Sequence, residues 1–256
     1  MLKLAVKDRL FTRLPNTSCA IRVNSAAIDV PIRESLNRLF DKQPVTVTDA
    51  PDTQAADIVV ERDGEPVARS SAEALLQSVL LVNSDVYITG SRGLTETELP
   101  EVLEALQEIP FLVRGYPESD SEKMLLLSVS RAIERRAYEV GSGTLYVGFQ
   151  ELSRLVDERG TYQVYEQLSD TGIDIHIYGR GDVAVPDDLA VTVHTGDSWF
   201  HRHGWFVVFM SEATGSNPAA LYSIEREPNR WGGFWTFHPE RVAAIRTEIT
   251  DRTHPT

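Results

Sequence analysis

Residues 143–179 read GTLYVGFQELSRLVDERGTYQVYEQLSDTGIDIHIYG, and the order of elements in this stretch decides the fold. The spacing predicts one helix around Phe149–Asp157 and a second over Tyr162–Leu168. Gly160 and Gly172 stand where helix C-termini favour glycine. Ile173, Ile175 and Ile177 then alternate with Asp174, His176 and Tyr178, the period of a strand with one face in a core and the other against something more polar. Further strands are predicted at Val191–His194, within GWFVVFM (204–210) and within AALYSIE (219–225), and no long crossover separates them. The sheet should therefore be partly antiparallel. WGGFWTF (231–237) leads into a closing helix, with Pro239 well placed at its first position.

Upstream, SDSEKMLLLSVSRAIERRAYEV (119–140) is the strongest helix in the chain. Ser119 and Glu122 form a capping box, and Leu125, Val129, Ile133, Ala137 and Val140 recur at helical spacing. This helix is expected to pack against both halves of the molecule. Arg131, Arg135 and Arg136, interleaved with Glu134 and Glu139, read as a solvated face. Before it, IVVERDGEPVA (58–68) is a hairpin turning at Asp63-Gly64. Ser70 and Glu73 cap a helix through about Val82, a strand follows at Asp85–Thr89, a helix follows Pro100, and PFLVRG (110–115) is a strand. That alternation is α/β grammar. The organisation predicted is a mixed α+β chain. Residues 1–57 form a partly disordered or linker segment with a possible helix at Ile32–Phe40 and a strand at Val45–Thr48. Residues 58–118 form a small α/β unit, 119–250 the main domain with a mixed sheet flanked by helices, and 251–256 a tail.

At 256 residues the chain can bury a core without disulfides or metal. Cys19 is the single cysteine, with no base in its local motif, so neither a bridge nor a nucleophile is indicated. No apolar run approaches the roughly 18 residues of a spanning helix. The N-terminus scatters Lys3, Lys7, Arg9 and Arg13 among its leucines, which breaks the secretory pattern and reads as an amphipathic segment or residues added by an upstream start. Net charge is −13, and only four of the 25 basic residues are lysines. Such an acidic, lysine-poor surface suits a salt-rich cytoplasm and argues against nucleic acid as a partner.

Three constellations invite chemistry. His194, His201 and His203 fall close together and, with His176 or Asp197, offer a metal set for a small metal-dependent enzyme; the alternative is a polar loop, DSWFHRHG. GSRG and GRGD lack phosphate-cradling spacing, no G-x-S-x-G elbow is present, and no carboxylate pair stands out. The third is aromatic. All four tryptophans lie between Trp199 and Trp235, and alternation in WFVVF and FWTF sends about half the rings to each side of a sheet. One side should be core, while the other packs, lines a pocket or covers a partner. A weak internal echo, VYITGSRG (86–93) beside IHIYGRG (175–181), marks two strands exiting into Gly and Arg.

The order FQELSRL, VYEQL, IDIHIYG, WFVVF, WGGFWTF and a terminal helix resembles the DICT sensory domain over about 120–250, with SRAIERRA as the opening helix. ALLQSVLLVNSDVYITG with FLVRGYPESDSEKMLLL further resembles the amino-terminal part of standalone DICT proteins from halophilic archaea. Phe149, Gln150, Trp205 and Trp235 match recurring family positions. The resemblance implies signal input, linked in some settings to light-responsive pathways, with output through another signalling protein such as a histidine kinase, transducer or regulator. The expectation is a cytoplasmic, non-enzymatic sensory module with no predicted cofactor, binding an unidentified small molecule or chromophore at His176, Tyr178, Trp205, Trp231 and Trp235. A ligand-free scaffold and the histidine-based metalloenzyme are the alternatives.

Overall fold

The computed structural model describes residues 8–24, 26, 28–49, 57–75, 77–78, 94–96, 98–115, 117–119, 122–211 and 218–253. The strand predicted at Asp85–Thr89, the first copy of the echo and the far end of the helix predicted to Val82 lie outside them.

The Asp63-Gly64 turn forms as its chemistry requires, both residues having positive φ (53° and 89°), between β3 (Ile58–Arg62) and β4 (Glu65–Ser70). β1 (Cys19–Val23) pairs antiparallel with β3 and parallel with β2 (Thr46–Asp49), giving a four-stranded sheet ordered β2-β1-β3-β4. Between β1 and β2 runs α2 (Val30–Phe40), which buries Leu36, Leu39 and Phe40; α1 (Arg9–Thr12) precedes them. The next short helix, α3 (Ala72–Leu75), is capped one residue later than predicted. Ser71 Oγ accepts the Ala74 N–H at 3.1 Å, while Ser70 ends β4 and accepts the Val102 N–H at 3.3 Å.

The larger sheet has seven strands in the order β5-β11-β10-β9-β6-β7-β8. After α4 (Glu101–Ala105), β5 (Phe111–Arg114) forms one edge, and Gln43 closes that edge as a strand would. Its amide donates to Leu112 O at 2.7 Å and accepts from Leu112 N at 2.9 Å. The long helix α5 (Glu122–Val140) starts where its sequence says, with Ser119 Oγ accepting the Glu122 N–H at 3.1 Å. The Glu122 carboxylate accepts the Arg114 N–H at 2.9 Å and its guanidinium, which ties the helix start to β5.

Between α5 and β7 (Gly172–Arg180) the prediction needs correcting. Residues 142–151 are a strand, β6, and the predicted first helix shrinks to α6 (Ser153–Val156), with Phe149 and Gln150 in the strand. The second helix, α7 (Arg159–Ser169), contains Gly160 instead of beginning beyond it. A central strand is covered on both faces and loses its alternation, so TLYVGF resembles a buried helical turn. β6 and β7 run parallel, joined by α6 and α7. β8 (Thr192–Thr195) also runs parallel to β7, and α8 (Trp199–His203) leads into β9 (Gly204–Met210). β10 (Ala219–Glu227) and β11 (Arg230–Thr236) complete an antiparallel half, and α9 (Pro239–Thr253) closes the described chain. The fold is thus mixed α+β with a mixed sheet flanked by helices.

Each face of this sheet buries its own apolar set. Leu145, Val147, Ile175, Ile177, Val207, Phe209 and Trp235 join α5, α7 and the small sheet in one core, while Tyr178, Phe206, Val208, Tyr222 and Phe234 pack under Val242, Ile245 and Ile249 of α9. Leu10 of α1 is buried in this second layer, and Asp8 accepts the Tyr222 hydroxyl at 2.8 Å. Among the described residues no helix is long and apolar enough to cross a membrane.

Candidate functional site

Strand alternation places the five predicted ligand residues on two opposite faces. Ile173, Ile175 and Ile177 of β7 face the α5 side, so His176 and Tyr178 face α9, whereas Trp205, Trp231 and Trp235 lie on the isoleucine side. The sheet separates the two groups.

On the α9 side the rings form a ladder. His176 stacks on Tyr146 and on His194, each with centroids 5.2 Å apart, and Tyr178 stacks on His194 at 4.4 Å. His176 Nδ1 meets His194 Nε2 at 2.9 Å, and its Nε2 lies 3.0 Å from Asp174 Oδ2. Burial, helped by the neighbouring Tyr146, pushes the Tyr178 phenol up to about 12. Every one of these rings is occupied by another ring. The three histidines of the metal alternative do not meet: His194 pairs with His176, His201 Nδ1 with Ser198 Oγ at 2.8 Å, and His203 lies beside Glu225. Among the described residues no group of three histidine, cysteine or acidic side chains is placed to hold a metal.

On the α5 side Trp235 is core. It stacks on Phe111 at 4.9 Å and donates its indole N–H to Leu103 O at 3.0 Å. Trp231, also buried, stands edge-on to half-buried Trp205 with centroids 6.2 Å apart. Lys123 Nζ lies 5.3 Å from the Trp231 ring centroid and 5.7 Å from that of Trp205, within cation–π range.

Trp205 opens onto a cleft of about 70 Å³ between α5, α7 and the strands β6 and β9. Its apolar wall is Leu127, Val147, Phe149, Trp205 and Val207; its polar groups are Lys123, Arg131, Glu134, Arg154, Glu158 and Thr161. Phe149 is held edge-on to Tyr165 of α7, and a register shift between Gly148 and Gln150 interrupts the pairing of β6 with β7 at this point. Gln150 carries the strain, at φ 65°, and is buried with its Nε2 on Glu225 Oε2 at 3.1 Å.

The cleft floor is a closed polar network. Arg131 Nη1 donates to Glu134 at 2.6 Å and Nη2 to Thr161 Oγ1 at 2.9 Å; Tyr165 OH donates to the other Glu134 oxygen at 2.7 Å, and Thr161 donates to Glu158 at 3.1 Å. Burial, then the Glu134 charge, raises the Tyr165 phenol well above its ordinary value. Arg131 and Glu134 are only 8% and 3% exposed, so the solvated face predicted for them is wrong here: α7 folds back across α5 and covers it. Lys123 differs. Among the described residues neither it nor Arg154 makes an ion pair, and burial, then the Arg154 charge, holds the Lys123 amine below the usual lysine range.

Residues 101–221 match the profile of DICT, described as a sensory domain in diguanylate cyclases and two-component systems. The segment is similar to a DICT sensory domain. It begins at α4, ahead of the long helix, and stops inside β10, so every cleft residue named above lies within it, whereas Trp231 and Trp235 lie beyond. No curated protein matches the chain. The fold also aligns with a polyphosphate kinase from Porphyromonas gingivalis, over 88% of this chain and 42% of the other, at 12% identity and a TM-score of 0.41, too loose a likeness to support an argument.

Of the five predicted residues the cleft is lined by Trp205, with Trp231 behind it. Lys123 is the functional candidate the aromatic pattern missed, and a signal for it exists. It is one of four lysines in an arginine-rich chain and sits second in α5, where the helix dipole disfavours a cation.

Proposed function

We propose that the chain is a non-enzymatic sensory module that takes a small molecule into the cleft beneath the first turns of α5 and passes the change to a signalling protein by direct contact. The observation supporting it is the make-up of the cleft: a desolvated amine that makes no ion pair among the described residues, beside a half-buried tryptophan and over a rigid polar floor. Such a site is costly to keep empty and is the kind that ligands relieve. The helix above it also touches β5, β6, β9 and β10, so a shift at Lys123 is felt across the sheet. Signalling further requires a ligand that distinguishes two conformations. The partner is a histidine kinase, transducer or regulator, and the compartment the cytoplasm.

The test is a melting and tryptophan-fluorescence screen against small metabolites, carboxylates, nucleosides and sugars among them. At least one compound should raise the melting temperature and quench fluorescence in wild type, with both effects lost in Trp205→Ala. No active compound, or one acting equally on the variant, refutes the reading. A ligand-independent scaffold is the second reading, favoured by Trp199, 52% exposed at the start of α8. In that case a partner would bind with the same affinity whatever compound is present.

A further inference from the structure

We infer that the ligand of this cleft is a small organic anion, a carboxylate with a short apolar tail, its charged end held between Lys123 and Arg154 and its tail against Trp205 and Phe149. The inference rests on the sensory-cleft reading above and narrows it to one chemical class.

Charge gives the sign. Arg131 and Glu134 cancel each other on the floor, and Glu158 accepts the Thr161 hydroxyl at 3.1 Å. Lys123 and Arg154 thus outnumber the remaining carboxylate of the lining, in a protein whose net charge is −13. Glu225, outside the lining, is engaged by Gln150 Nε2 at 3.1 Å and by the Asn229 N–H at 2.9 Å; its charge and that of Glu158 favour the Lys123 ammonium, but burial and Arg154 outweigh them. Arg135, Arg180, Arg202, Arg230 and Arg252 all hold carboxylates, yet these two cations share a cleft and hold none among the described residues. Two like charges repel and Lys123 loses hydration in the cleft, costs that the charges of Glu158 and Glu225 offset only in part; an anion reverses both at once. A cationic ligand would add a third positive charge, and a neutral one would leave the first two unrelieved.

Size and surface give the body. About 70 Å³ is well under the roughly 150 Å³ of an apolar cavity that admits benzene, so the enclosed part takes a head group and a few carbons. Leu127, Val147, Phe149, Trp205 and Val207 offer that tail an apolar wall. Lys123 already lies against the Trp205 and Trp231 rings, so an anion drawing the ammonium toward itself alters the surroundings of both indoles.

The test compares three near-isosteres, propanoate, propanamide and propylammonium, by tryptophan fluorescence and calorimetry on the full chain. Propanoate should bind saturably, propanamide more weakly and propylammonium not at all. Lys123→Met should weaken propanoate by at least about tenfold and abolish the preference over propanamide. Because the amine it removes is desolvated and repelled, Lys123→Met should melt no lower than wild type, so lost binding is not lost folding. Arg154→Met, on a separate helix, gives an independent second variant. Propanamide or propylammonium binding as tightly as propanoate, with the response lost in Trp205→Ala, overturns the anion class and leaves the sensory cleft standing. Propanoate binding unchanged in both charge variants, or no binding by any of the three, also overturns the anion class. The cleft itself falls only if the wider metabolite screen finds nothing that depends on Trp205.

Discussion

Replacing Glu134 by leucine probes whether the cleft floor is the closed network described. The carboxylate is 3% exposed and accepts from Arg131 at 2.6 Å and from Tyr165 at 2.7 Å, so its removal takes their shared acceptor from a guanidinium and a phenol that are themselves buried. Breaking one partner of a buried pair costs about 3–5 kcal/mol. For a chain of this size that corresponds to a fall in melting temperature of roughly 6–20 °C. Replacing both charges, Arg131→Leu with Glu134→Leu, should recover part of the loss, because neither ion is left unpaired. Adding Tyr165→Phe removes the last donor and should recover more, by about 1–3 kcal/mol. Urea unfolding of wild type, both single variants, the double and the triple measures each step. The reasoning is refuted if Glu134→Leu costs less than about 1 kcal/mol, or if the double variant loses as much as the two singles summed.

Other expectations follow from named contacts. In Gly148→Ala the new methyl would run into the Phe206 ring, packed between Tyr178 and Phe200, and should cost about 1–3 kcal/mol by chemical unfolding; no loss would mean that β6 and β9 are paired differently. The Tyr178 phenol is raised to about 12, and those of Tyr165 and Tyr222 are raised by burial as well, so the unfolded chain ionises first. Stability should hold up to about pH 10 and then fall as pH rises toward about 12, in step with ultraviolet tyrosinate titration. The Cys19 thiol is 4% exposed and pushed up by burial, so a disulfide reagent should label it only at the rate of unfolding; rapid labelling of the native protein would contradict its place in the core. With a net charge of −13, raising potassium chloride from about 0.1 M to about 2 M should raise the melting temperature by screening self-repulsion, and a flat response would count against adaptation to salt.

Local signals made part of this fold legible. Ser119 and the four-residue recurrence from Leu125 to Ala137 mark α5, strict alternation marks β7, Asp63-Gly64 marks a hairpin and Pro239 the last helix, because each depends only on neighbours in sequence. What depends on pairing was not legible. Alternation tells which residues of one strand share a face, but only register tells which face two strands have in common. His176 therefore joined Tyr146 and His194, and Trp205 went to the other side. The burial of Arg131 and Glu134 depends on α7 returning over α5, a contact between segments about thirty residues apart. Lys123 lay within reach of a sequence argument, since a cation at the second position of a helix works against the dipole and needs another reason to be there.

The central claim, that the cleft under α5 is where a small molecule enters, is tested most directly by hydrogen–deuterium exchange. The full chain would be measured with and without a low-molecular-mass filtrate of the producing cells. The account predicts slower exchange confined to residues 122–131 of α5 and 146–158 across the β6 bulge and α6, with Lys123→Met and Trp205→Ala both losing the effect. Protection centred instead on β7, β8 and α9 around His176 and Tyr178, or none in any segment, would contradict it.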